Sequence, residues 1–346
     1  MNALTMLVGL FSLVFCANPP LAAANPSISL KGQVLEELFP VFAKLLADGN
    51  TQLEIPPLVT WKIRNQGNES VTVTLMSQIA QWTPVAISKV VLGPGDYQEV
   101  GQTPFGPNLL RINSEVPAAL ATKVLVDDKV VSQDTRNIRI RAADDMIWGI
   151  HNGFDMEYLI AAWVTPKDPW VEQILGNARK KIYLKDRALI GYDPRYSVRT
   201  QVRAIFEAVR DAGVGYVNSN VNFGQIGFCQ RVRLPRESLQ QKAANCIDGA
   251  VLFASLFENI GLEPIIFLMT RHAFVGVRNS SGSNEVIFIE TTQVGRSKLE
   301  SFNTRELTFD AAARDAWNTY VNARNAGDVR EVDIMKARQM GIYPLW

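Results

Sequence analysis

Hydrophobic positions along this chain change period twice. Over residues 31–48, KGQVLEELFPVFAKLLAD, the residues Leu35, Leu38, Phe39, Phe42, Leu45 and Leu46 recur at three- and four-residue spacing. That spacing predicts helix. Pro40 argues against one unbroken helix, because proline lacks the amide hydrogen that an interior helical position needs. From about 52 to 145 the period drops to two. LVTWKIRN, SVTVTLMSQIAQW, AISKVVLGPG, PNLLRINSE, TKVLVDD and NIRIRA are short, rich in β-branched residues, and divided by the turn signals NQGNES, GPGD and VDDK. Strands at this spacing, with no helical pattern between them, predict an all-β sandwich.

After residue 149 the period returns to that of helices. PWVEQILGNARKKI at 169–182 and SVRTQVRAIFEAVRDAG at 197–213 each carry an apolar stripe; in the second, Val198, Val202, Ile205, Phe206 and Val209 share a face. A loop-rich stretch leads to residues 246–260, where Cys246, Ala250, Phe253, Phe257 and Ile260 share a face. Asn245 stands at the N-cap position and Gly261 just beyond the end. EPIIFLM at 263–269, RHAFVGVR at 271–278 and EVIFIETT at 285–292 read as strands. NSSGSN between the last two marks a hairpin.

Composition narrows the function. The chain has 346 residues, 47% apolar and 20% charged, with formal net charge +1. Its length predicts two or three domains. The balanced charge gives no basic face for nucleic acid. Residues 5–16, TMLVGLFSLVFC, followed by Pro19, Pro20 and the small residues of LAAAN, read as a signal peptide over 1–24. The run is too short for a comfortable membrane span. Export to the periplasm or outside the cell is therefore expected, with no transmembrane segment in the mature chain. Cys16 follows Phe15 rather than a small residue, which argues against a lipid anchor. Export leaves Cys229 and Cys246 in an oxidising compartment, where a disulfide between them is one reading.

A second reading makes Cys246 a small core residue. The third makes it a nucleophile. As the first helical residue it meets free backbone N–H groups and the positive end of the helix dipole, which favour a thiolate. An ordinary thiol, with a pKa of about 8.5, holds little anion at neutral pH. His151 and His272 are the two histidines. His151 lies in a linker-like stretch and reads as structural. His272 falls opposite Glu290, to within one residue, if the hairpin turns near Ser281 or Gly282. A carboxylate beside a histidine fixes its tautomer and stabilises the imidazolium. Asp248, on the first helical turn, favours the same dipole and is a secondary candidate.

NCIDG, RHAFVGV and FIETT, in that order on helix, strand and strand, resemble the transglutaminase-like superfamily of papain-type cysteine enzymes over roughly 165–300. The resemblance implies helices packed on an antiparallel sheet. It also implies Cys246 as nucleophile, His272 as base and Glu290 as the acid that orients it. Gln230, in FCQRVRLP, is the implied side-chain donor of an oxyanion hole. Arg231 and Arg233 stand either as contacts for a substrate carboxylate or as solvated charges. The chain departs from the family in Ala244-Asn245 before the cysteine, where many members have Gly-Asp. It departs again in Glu290-Thr291-Thr292, where many have Asp-Pro-Thr. The sandwich at 51–146 resembles the immunoglobulin-like accessory domains of exported proteins. The expected organisation is therefore multidomain: a helical linker at 25–50, an all-β immunoglobulin-like sandwich, then an α+β transglutaminase-like domain at 147–346 with a helical C-terminal tail. The expected activity is acyl transfer from amide or peptide bonds, as a peptidase or amidase, without cofactor or metal. The implied substrate is a protein or peptide, cell-envelope components included. An inactive scaffold or binding protein on the same fold is the alternative.

Overall fold

The computed structural model describes residues 21–22, 27–50, 52–149, 156–182, 188–218, 229–294 and 308–346. The expected signal peptide lies outside them apart from Leu21–Ala22, a strand paired with Lys31 and Gly32. Cys16 and His151 also lie outside. The chain is mixed α and β, with several sheets and several helices.

The first half builds two sheets around one core. In one sheet Ile28–Val34, Val59–Asn65 and Tyr97–Gln102 run side by side. In the other the order is Glu37–Leu38, Lys129–Ile140, Val116–Val126, Val71–Ile79, Ala86–Leu92. Trp61, Ile63, Leu75 and Val124 are fully buried between them, as alternation predicts. VDDK forms a two-residue hairpin: Asp127 and Asp128 both take positive φ, 47° and 62°, matching the right-handed twist of the flanking strands.

Three sequence readings change here. Residues 31–34, the first of the expected helix 31–48, belong instead to the strand Ile28–Val34: Ile28, Leu30 and Val34 are buried at period two, and the strand pairs along its length with Val59–Asn65. The partner strand overrides the helical spacing. PNLLR is a 3-10 turn, Pro107–Arg111, with only Leu109 buried; adjacent leucines cannot both face one side of a strand. Tyr97–Gln102, a polar run with an exposed edge pattern, is a strand that hydrophobic alternation does not mark. The sandwich therefore begins at Ile28 rather than at 51. It ends near Ile140, because the strand Asp145–Ile147 pairs with Cys229–Arg231 in the second half.

Helix Pro40–Ala47 joins the halves. Val41, Phe42 and Leu45 pack into the second core, and Ala43 into the first. Proline stands at its first position, where no intrahelical amide bond is lost.

The second half centres on the helix Cys246–Asn259, buried at every residue from Cys246 to Phe257. It packs on one face of an antiparallel sheet ordered Val286–Ile289, His272–Arg278, Pro264–Met269, Arg330–Asp333. Ala273, Val275 and Val277 face it. The opposite face carries Phe267, Phe274 and Phe288, which stack with Tyr320 of the helix Phe309–Asn325. Helices Pro169–Lys181 and Val198–Asp211 flank the central helix. The C-terminal region is not wholly helical. Arg330–Asp333 is an edge strand of this sheet, hidden in the sequence because only Val332 of its four residues is apolar and buried. Arg338, in the helix Ile334–Gln339, grips both carboxylate oxygens of Glu258 at 2.8 and 2.9 Å and three carbonyls besides. That pins the far end of the central helix.

Phe42 is the largest side chain that the joining helix inserts into the second core. Phe42→Ala is expected to cost about 3 kcal/mol, read from the midpoint of denaturant unfolding.

Candidate functional site

The site begins with the cap of the central helix. Asn245 is extended, and its side chain accepts the Asp248 N–H at 2.9 Å. Asp248 reaches back to accept the Asn245 N–H at 3.0 Å. This reciprocal box satisfies two amide donors and starts the helix at Cys246. The Cys246 N–H is not one of the two. Asp248 is fully buried and also accepts the Arg233 backbone N–H at 2.8 Å and its guanidinium at 2.9 Å. Burial pushes its carboxyl up, against the pull of those donors. Asp248 is thus part of the scaffold under the cysteine, tied to the strand segment that carries Gln230.

Cys246 is 1% exposed, and its side chain is near enough to the His272 imidazole to act on its protonation. His272 Nε2 lies 2.7 Å from Glu290 Oε2, so Nδ1 is the ring nitrogen left for sulfur. The three sequence-predicted residues are therefore brought into one row, thiol to imidazole to carboxylate. Glu290 is buried, and its other oxygen, Oε1, accepts Thr292 N at 3.1 Å and Thr292 Oγ1 at 2.7 Å.

The hairpin register explains why this acid is a glutamate. Val275 pairs with Ile289 and Gly276 with Phe288. Continued, that register sets Glu290 opposite Phe274, two residues from His272 rather than within one. The contact runs along a diagonal, where Cβ atoms stand about 7–8 Å apart and only long side chains meet. The extra methylene of glutamate covers the difference. The ladder ends at Ile289, and Glu290 caps the 3-10 turn Thr291–Gln293.

The electrostatics favour a charged histidine. Burial alone would push His272 down, but the bonds and charges of Cys246 and Glu290 outweigh it and raise it to about 10. The Glu290 carboxylate at 2.7 Å stabilises the imidazolium, and Cys246 stands at the positive end of the helix dipole. The arrangement can hold a thiolate–imidazolium pair.

The remaining candidates divide. Gln230 lies on the strand Cys229–Arg231, opposite Met146. Its amide Nε2 and Oε1 are both buried, and neither has a hydrogen-bond partner among the described residues. A buried amide without a partner costs free energy, so among the described residues this side chain keeps hydrogen-bonding capacity that is not yet used. Arg231 and Arg233 are engaged, by Asp144 and Asp248. Cys229 and Cys246 are both free thiols. Burial pushes Cys229 up to about 11, which makes it an inert thiol. Among the described residues no group of acidic, histidine and cysteine side chains could hold a metal ion, and no helix is long and apolar enough to cross a membrane. Sequence reasoning passed over Thr292 and the Arg233–Asp248 pair. The signal for Thr292 was an acid at a strand end followed by Thr-Thr-Gln, the composition of a capped turn.

Asp248→Ala leaves Arg233 without its buried partner and opens the cap; a loss of about 3 kcal/mol in unfolding free energy is expected. Because the folded value of His272 exceeds its ordinary 6.5, its contribution to stability is fully present below pH 6.5 and is lost as pH rises towards about 10. The stability difference between wild type and His272→Ala should therefore shrink across that interval, measured by denaturant unfolding at stepped pH. No protein-family model matches the chain, and comparison with curated proteins finds no similar sequence, so the reading of the site rests on its own geometry.

Proposed function

We propose that the chain is an exported cysteine-dependent acyl-transfer enzyme acting on amide or peptide bonds, as a peptidase or amidase. In this reading the second half is a transglutaminase-like, papain-type domain and the first half an immunoglobulin-like accessory domain. One observation carries it: Cys246, at the capped start of a buried helix, is in line with His272 and Glu290.

The chemistry follows from that row. The Cys246 sulfur attacks the carbonyl carbon, a C–S bond forms, and the carbonyl oxygen takes the negative charge. The Cys246 N–H at the helix start suits that oxyanion, and the unpartnered Gln230 amide is the side-chain donor this reading assigns to it. The imidazolium of His272 gives its proton to the leaving nitrogen as the C–N bond breaks. Water, deprotonated by the now neutral imidazole, attacks the thioester; the carboxylic acid departs and the thiolate–imidazolium pair returns. Glu290 keeps the imidazole in one tautomer throughout. Nothing in the residues marks a site for an acceptor amine, which is why water is the favoured second substrate.

The test needs no known substrate. Iodoacetamide should alkylate Cys246 at pH 6–7, and His272→Ala should slow that reaction about tenfold or more, followed by peptide-resolved mass spectrometry. Cys229 should stay unmodified as the internal control. Equal rates in the two proteins would favour the alternative, an inactive scaffold in which Cys246 is a core residue.

A further inference from the structure

The turn that follows Glu290 makes a polar or packing contact through each of its three residues, and each contact reaches a different element. Thr291 packs against the central helix: its hydroxyl donates to the Cys246 carbonyl at 3.4 Å. A Cβ added to Gly249 would stand 2.8 Å from Thr291 Oγ1 and 2.9 Å from its Cβ. Glycine at 249, in the first turn after the cysteine, is what permits this approach. Gln293 donates to Asp315 Oδ2 at 2.7 Å, on the helix Phe309–Asn325 at the opposite face of the sheet. Between them Thr292 donates both its N–H and its hydroxyl to Glu290 Oε1. A side chain is held firmly only if what holds it cannot move, and this turn is fixed on both sides.

We propose that Thr292 is a positioning residue. With its hydroxyl on Oε1 it holds the Glu290 carboxylate in the rotamer that presents Oε2 to His272, and the anchoring of Thr291 on Cys246 fixes nucleophile and acid to one rigid turn. This rests on the cysteine-enzyme reading above. The need for such a hold comes from the diagonal geometry. A glutamate reaching across two residues of register has three side-chain torsions to fix, and burial does not choose among their rotamers. Thr292 satisfies the oxygen that His272 leaves open, so that rotating the carboxylate away would break three hydrogen bonds together.

The role can be separated from simple support of the fold and from an electronic effect. A hydroxyl donating to a carboxylate also draws charge from it. If that were its whole effect, removing it would strengthen the pull on the imidazolium and raise the His272 titration. Loss of positioning lowers it. The experiment is the titration of the two histidine ring signals by NMR in wild type, Thr292→Val and Thr292→Ser, with His151→Gln assigning the peaks, alongside the iodoacetamide profile of Cys246. Thr292→Val should move the His272 midpoint down by about one pH unit, which is about a tenfold change in the protonation equilibrium. The acid-side rise of Cys246 alkylation, which an imidazolium partner holds at low pH, should move up. Thr292→Ser, which keeps the hydroxyl, should return both towards wild type. An unchanged or raised midpoint in Thr292→Val overturns the proposal, as does a lowered unfolding midpoint with no movement of the titration. A wild-type His272 that already titrates near 6.5, with alkylation indifferent to His272→Ala, instead removes the cysteine-enzyme reading beneath it.

Discussion

The reciprocal cap at Asn245 and Asp248 is the constraint on which the rest of the site depends. It stops the chain from entering the helix one residue earlier or later, and so sets which residue occupies the first helical position. That residue is a cysteine. Asp248 is buried without solvent and accepts three N–H bonds, two of them from Arg233. One carboxylate therefore both starts the helix and fastens it to the segment that bears Gln230. A buried carboxylate lacking those donors would be costly; with them it is a fixed point.

From that point the geometry extends in two directions. Behind Cys246, a buried and mostly apolar body packs on the sheet and is held at its far end by Arg338 on Glu258, so the sulfur rides on a helix restrained at both termini. In front of it, the hairpin delivers His272 at the first residue of a strand and Glu290 just past the last residue of the next. His272 is paired with Met269 at the turn between its strand and the one before, and Glu290 lies just past the ladder that ends at Ile289, so the sheet fixes both backbones. The same rigid base serves the joining helix Pro40–Ala47, whose apolar residues enter both cores and tie the sandwich to the domain that carries the site.

Much of this was legible without coordinates. The helices at 169–182, 197–213 and 246–260 were marked by apolar stripes, and their observed bounds differ by only a residue or two, because a stripe of period 3.6 reports a buried face that long elements keep. Cys246, His272 and Glu290 were marked by residue type, order and element. What failed had a common cause. Residues 31–34, expected to open a helix, belong to the strand Ile28–Val34, since the strand Val59–Asn65 supplies its hydrogen bonds. Tyr97–Gln102 and Arg330–Asp333 are edge strands whose side chains meet solvent on one side or both. Pairing, unlike burial, leaves no pattern in composition.

The sequence alone determined the identity and order of Cys246, His272 and Glu290, the cap that starts the helix, and the apolar faces that bury it. These depend on neighbours within one turn or one strand. The tertiary structure decided the register of the hairpin, and with it the diagonal that glutamate rather than aspartate can cross. It also decided that Cys229 stays free, that the Gln230 amide is buried without a partner among the described residues, and that Thr292 closes on the second oxygen of Glu290. Each of those outcomes turns on a distance of an ångström or two between segments far apart in the chain. Local preferences fix torsions, but only the packing of whole elements fixes such distances.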